Sequence, residues 1–191
     1  MSISTNGIHE IRWHGRGGQG AVSSAQILAH AAYLGGYRGV TSAPSFGAER
    51  RGAPVTASTR LSPEPLRIFS QVESPDIVVV LDDTLLECAD ATAGLKPGGW
   101  LVINSHLPPR ELGLKGNFRV ATADATRVAT ETGLIVAGSV IVNTAMLGAF
   151  ARATGLVSID DIEKAILAKF SHKLAQKNAE AARITYEYTV L

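Results

Sequence analysis

Hydrophobic positions in the first 35 residues fall into two patterns with a break between them. From Ile8 to Trp13 the apolar residues Ile8, Ile11 and Trp13 are spaced by polar ones, a roughly period-2 pattern that predicts a strand. From Ala21 to Ala32, positions 21, 25, 28 and 32 line one helical face, and Gly35-Gly36 stops that helix near Leu34. Between them lies Gly15-Arg16-Gly17-Gly18-Gln19-Gly20. A strand, a glycine-rich turn and a helix in succession leave unpaired N–H groups at the helix start, where an anion is stabilised. Glycine at the turn allows positive φ and close approach of a ligand or another chain.

The alternation of elements continues. Arg38 to Ser42 reads as a short strand, and Ala43 to Pro54 as an irregular loop holding two prolines, two glycines and the charges Glu49, Arg50 and Arg51. Val55 to Leu61 alternates as a strand, Ser62 to Pro65 turns, and Leu66 to Phe69 reads as its hairpin partner. Asp76 to Leu81 is a continuous β-branched run, the pattern of a strand buried on both faces. Asp82-Asp83-Thr84 then reads as the cap of a helix from Leu85 to about Ala93. Strands follow at Trp100–Asn104 and Phe118–Thr122, and a helix runs from Asp124 to Thr132. Beyond Ser139 the chain turns helical. A buried helix spans Val140–Ala153, and a second starts at Ser158-Ile159-Asp160-Asp161 with Ile159, Ile162, Ile166 and Phe170 on one face. A third, alanine-rich and charged, runs from Leu174 to Tyr188 and is expected to be more exposed. The pattern predicts an α/β protein: a three-layer α/β/α domain with a mixed, mostly parallel central sheet and a helical C-terminal part, residues 1–191 forming one domain.

Composition narrows the function. Apolar residues are 46% and charged ones 18%, which fits a packed core. A formal charge of +1 gives no electrostatic case for nucleic acid or an anionic membrane surface. The single Cys88 excludes a disulfide framework and a self-contained iron–sulfur site. The segment Met1–Gly7 lacks a signal-peptide pattern, and the apolar stretch from Leu134 to Val142 is too short to span a bilayer, so a soluble cytoplasmic protein is expected.

Gly15, Gly17 and Gly20 match the spacing of a dinucleotide-binding turn. That reading needs an acidic residue at the end of the next strand, and positions 37–42, Tyr-Arg-Gly-Val-Thr-Ser, contain none. Arg50 and Arg51 are suited to phosphate or carboxylate, because a guanidinium offers planar paired donors, although a solvated charge cluster explains them equally well. Asp82 and Asp83 lie where α/β folds place ligands, beyond the carboxyl end of a strand, but helix capping fully explains one of them and is the simpler role. The five histidines show no metal-ligand spacing, and His14 is expected to bond a nearby backbone group. Asn143, in a predicted buried helix, is expected to be satisfied by backbone or to face a partner chain. Cys88 beside Glu87 is poorly placed to be a nucleophile. No catalytic arrangement of its own and no metal site stands out.

Three stretches together resemble a known family. Ile11-Arg12-Trp13-His14-Gly15-Arg16-Gly17-Gly18-Gln19-Gly20-Ala21-Val22 resembles the opening of the gamma subunit of 2-oxoacid:ferredoxin oxidoreductases. Ser45-Phe46-Gly47-Ala48-Glu49-Arg50-Arg51-Gly52-Ala53-Pro54-Val55 is similar to its second signature, and Val142-Asn143-Thr144-Ala145-Met146-Leu147-Gly148-Ala149-Phe150 to its third. The likeness runs from about residue 9 to 187, and within the family it is nearest the pyruvate and branched-chain enzymes. The resemblance implies a subunit of a complex that decarboxylates a 2-oxoacid on thiamine diphosphate and Mg, passes electrons through [4Fe-4S] clusters and transfers the acyl group to coenzyme A. It implies alpha and beta thiamine-binding subunits, a ferredoxin-like delta subunit, and ferredoxin or another acceptor as partners, with no cofactor held wholly by this chain. Gly15, Arg16, Gly17, Gly18, Gln19, Gly20, Arg50, Arg51 and Asn143 are then the expected contributions to the coenzyme A side of the active site. A stand-alone Rossmann-type NAD(P) oxidoreductase and a purely structural subunit are the alternatives.

Overall fold

A computed structural model describes residues 7–44, 52–68 and 70–191. Its centre is a six-stranded sheet in the order β2-β3-β1-β4-β5-β6. The strands are β1 (His9–Arg16), β2 (Gly39–Pro44), β3 (Pro54–Ser62), β4 (Ile77–Val80), β5 (Trp100–Asn104) and β6 (Arg119–Ala123). From β1 through β4 and β5 to β6 the strands are parallel, whereas β3 runs antiparallel to both β1 and β2. The α/β class and the mixed, mostly parallel sheet follow the expectation. The reason for the mixture differs. The hairpin partner of β3 is β2, while residues 65–68 have no regular structure; Phe69 lies outside the described residues.

Among the described residues, five longer helices accompany the sheet, α1 (Ala21–Leu34), α3 (Ala125–Glu131), α4 (Asn143–Thr154), α5 (Ile159–Lys169) and α6 (His172–Tyr188), while α2 (Leu85–Cys88) is only four residues long and Pro109–Glu111 form a short 3-10 turn. One core packs α1, α4, α5 and α6 against Ile11, Trp13, Val79, Leu81 and Val102. Trp13 is fully buried, its ring centroid 6.0 Å from that of Phe150, and its indole N–H donates to Thr59 Oγ1 at 3.1 Å. A buried aromatic with its polar atom satisfied contributes area without a desolvation penalty. On the opposite face Val78, Val80, Leu101 and Ile103 meet Leu85, Leu112, Leu114 and Phe118 from α2 and irregular chain. β4 and β5 are therefore buried on both faces, as their unbroken apolar runs require.

Two helical expectations change. α2 stops at Cys88 because Asp90 takes a left-handed φ of 41° and the carbonyls of Ala91 and Ala93 turn to the Arg12 guanidinium on β1 rather than into a further turn. α6 is less exposed than its composition suggests. Ala175, Asn178, Ala179, Ala181, Ala182 and Thr185 are buried against its neighbours, and Gly148 of α4 lets the backbone of α6 approach closely at Ala182. Before α4, the apolar run from Leu134 forms a small hairpin, β7 (Ile135–Val136) and β8 (Ser139–Val140), instead of the first turn of the helix. Among the described residues no helix is long and apolar enough to cross a membrane.

Candidate functional site at the carboxyl end of the first strand

The glycine-rich turn sits where the sheet changes character. β1 ends there with an antiparallel neighbour on one side and a parallel one on the other, so the start of β3 and the end of β4 lie beside it. The amide of Gly17 donates to Ala53 O at 2.8 Å and that of Gly52 to Gly17 O at 3.1 Å, which ties the turn to the chain entering β3. On the other side Leu81 N donates to His14 O at 2.8 Å.

Within the turn, side chains do the fastening. Gln19 closes it, its Oε1 accepting from Arg16 N at 2.7 Å while its own amide donates to Arg16 O at 2.9 Å. The Arg16 guanidinium points at Asp82 beyond β4, with Nε to Oδ2 at 3.1 Å, and also donates to Thr84 Oγ1 at 2.7 Å and Gly52 O at 3.2 Å. Gln19 Nε2 reaches the same Oδ2 at 3.0 Å. Asp82 thus gathers the turn, and Thr84, the residue ahead of α2, has no side-chain cap role. Burial works to raise the Asp82 pKa, but bonds from Thr84 and Gln19 and the charge of Arg16 outweigh it and hold the carboxyl below its usual range.

Gly20 ends the turn at φ 87°, a left-handed conformation natural to glycine, and no side chain caps the start of α1. A Cβ at Gly20 would stand 2.6 Å from Asn143 Nδ2, so the first residue of α4 seals the turn from the helical side. Asn143 is buried; its Oδ1 accepts from Thr144 N at 2.8 Å and its carbonyl from Ser24 Oγ at 3.2 Å. Gly18, at φ 96°, faces open space.

Two cavities flank the turn. One of about 670 Å3 lies over Arg16, Gly17 and Gly18, with Val136, Ala137 and Ile141 of the small hairpin region as its far wall. The other, of about 500 Å3, lies at the carboxyl ends of the parallel strands among Gln19, Asp82, Asn104, Asp124 and Val142. Crevices beyond the carboxyl ends of strands, where the strand order reverses as it does between β1 and β4, are where open α/β sheets bind ligands. Gly15–Gly20 and Asn143 therefore meet at one place, although they are far apart in sequence. Arg50 and Arg51 lie outside the described residues; the chain that flanks them, Pro44 and Gly52, is at this end of the sheet. No motif in the sequence signals Asp82 as a brace or the hairpin as a wall. Ala137-Gly138, both at positive φ, marks the hairpin as a tight two-residue turn of the kind Asn-Gly signals more strongly.

His14 is on the opposite face, in a groove of about 420 Å3 with Arg12, Thr56 and Ser58. Its partner is a side chain rather than backbone: Arg12 Nε donates to its Nε2 at 2.9 Å. Burial and the neighbouring guanidinium lower its pKa to about 4, so the imidazole is neutral. Cys88 is exposed, 3.9 Å from Arg16. Among the described residues no three His, Cys, Asp or Glu side chains gather as a metal site.

Residues 10–188 match the family described as pyruvate ferredoxin/flavodoxin oxidoreductase. The chain is 50% identical to the pyruvate/ketoisovalerate oxidoreductases common subunit gamma of Thermococcus litoralis, over 95% of this chain and 97% of that one. It is 51% identical to the protein of the same name from Pyrococcus furiosus, over 94% of this chain and 96% of that one. Among solved structures, the pyruvate oxidoreductase subunit PORC of Thermotoga maritima superposes with a TM-score of 0.80 at 38% identity, covering 95% of this chain and 97% of that one. A 2-oxoglutarate:ferredoxin oxidoreductase of Magnetococcus marinus, at 21% identity and TM-score 0.70, contains the fold as 31% of its chain, with 94% of this chain covered. The chain belongs to the pyruvate ferredoxin/flavodoxin oxidoreductase family, as a gamma subunit of a multi-subunit 2-oxoacid oxidoreductase.

Proposed function

We propose that this gamma subunit completes the active site of the assembled oxidoreductase on its coenzyme A side, while thiamine diphosphate, Mg and [4Fe-4S] clusters are held by alpha, beta and delta subunits. Residues 1–191 act in this as one domain, since one core runs through most of the helices and the sheet. The observation that carries the reading is the glycine-rich turn opening on a cavity of about 670 Å3 at the carboxyl end of β1, where the strand order reverses. Coenzyme A brings a diphosphate and a 3′-phosphate to the acyl acceptor thiol. The uncapped start of α1 and the open side of Gly18 fit a diphosphate through N–H groups. The Arg16 guanidinium is engaged with Asp82, Thr84 and Gly52, so the cationic part of the site falls to Arg50 and Arg51. A single cysteine leaves cluster ligation to other subunits.

A dinucleotide site is less well supported. β3 is inserted between β1 and β2, which puts the end of β2 one strand farther from the turn than a ribose-gripping acid must be. In the assembled enzyme, Arg50→Ala with Arg51→Ala is expected to raise the KM for coenzyme A by about tenfold or more, the loss of charge-assisted bonds to phosphate. An unchanged KM returns the chain to a structural role.

A further inference from the structure

We propose that Asp82 is the positioning residue of the glycine-rich turn, holding Gly15–Gly20 in the shape that meets coenzyme A; this rests on the reading of the turn given above. The carboxylate sits just past β4, and its strand is locked in register beside β1, with His14 opposite Val80. One oxygen, Oδ2, accepts from Arg16 Nε at 3.1 Å and from Gln19 Nε2 at 3.0 Å. The other accepts from the Thr84 backbone N–H at 3.2 Å and from the Thr84 hydroxyl, so the carboxylate is itself fixed. Both turn residues it grips are also the two that close the turn on themselves through Gln19 Oε1. Asp82 and Gln19 border one flanking cavity and Arg16 and Gln19 the other, so a shift of this brace reshapes both.

The role is local rather than one of global stability. The Arg16 and Asp82 side chains are 31% and 19% exposed, and ion pairs this close to solvent add little to folding. What they do is hold a run of four glycines among six residues, a stretch with little conformational restriction of its own, in one shape.

The test uses the assembled oxidoreductase. Asp82→Asn keeps the size and removes the charge. We expect the KM for coenzyme A to rise about tenfold, the KM for the 2-oxoacid and the unfolding midpoint to stay put, and amide exchange across residues 14–20 to quicken. Arg16→Gln should give a similar rise, and adding Asp82→Asn to it should add little more, because the two act as one unit. If Asp82→Asn does not assemble, Thr84→Val loosens the same carboxylate, with a rise of about threefold expected; no rise counts against the brace. Exchange across 14–20 that is unchanged in Asp82→Asn overturns the proposal whatever the kinetics. Should Arg50→Ala with Arg51→Ala raise the coenzyme A KM while Asp82→Asn does not, Asp82 is no positioning residue and the reading of the turn survives. If neither moves it, the reading fails and the proposal with it.

Discussion

His14 carries its protonation state into the folding equilibrium. An unfolded histidine titrates near 6.5, whereas burial and the Arg12 guanidinium hold this one to about 4. The unfolded chain therefore binds a proton first, and stability falls as pH drops from 6.5 towards 4, then levels off. Between pH 7 and 5 the loss attributable to this side chain is about 2 kcal/mol. Urea midpoints at those two values should differ more for the natural chain than for His14→Gln; equal differences would mean the imidazole contributes nothing. Single residues were also the least legible part of the sequence. His14 was expected to bond backbone because the local pattern ends the strand at Trp13 and leaves His14 in the turn; β1 runs on to Arg16, so Arg12 and His14 share a face of one strand and reach each other. Asp82 read as a cap for the same reason: Asp-Asp-Thr before a helix is a capping signal, and the competing partners Arg16 and Gln19 lie 66 and 63 residues away.

Elements were read well where burial imposed one pattern. β4 and β5 announced themselves as unbroken apolar runs, and Ser158 caps α5 by accepting from Asp161 N at 3.1 Å, as the capping box predicts. They were misread where two patterns overlapped. The hairpin β7–β8 has strands of two residues each, too short to alternate, and it merged with the apolar start of α4. α6 looked exposed because its inward face is built from alanine, which is small enough to let helices close together but carries little hydrophobic signal. That closeness is testable. A Cβ at Gly148 would stand 1.9 Å from the Ala182 carbonyl oxygen. Gly148→Ala should force α4 and α6 apart and cost about 2–3 kcal/mol despite alanine's better helix propensity. A denaturation midpoint at or above that of the natural chain would show that the helices are free to separate.

At the scale of the molecule, the family places this chain in a multi-subunit oxidoreductase; on the function proposed above, its native host should yield it together with a thiamine-dependent partner and iron. Recovery as a partner-free monomer under gentle lysis would count against an obligate subunit. One feature of the sheet bears on how the chain reaches that assembly at all. β1 is made early, yet it lies in the middle of the sheet and its two neighbours are β3 and β4, which end at residues 62 and 80. A strand carrying Ile11 and Trp13 has nowhere to pair until β3 is made, and its second edge stays open until β4 is complete at residue 80; such unpaired apolar edges invite association with other nascent chains. Synthesis of this subunit therefore has a vulnerable interval set by sheet order, which chaperone occupancy on stalled chains of increasing length would reveal as a plateau that drops once β4 emerges.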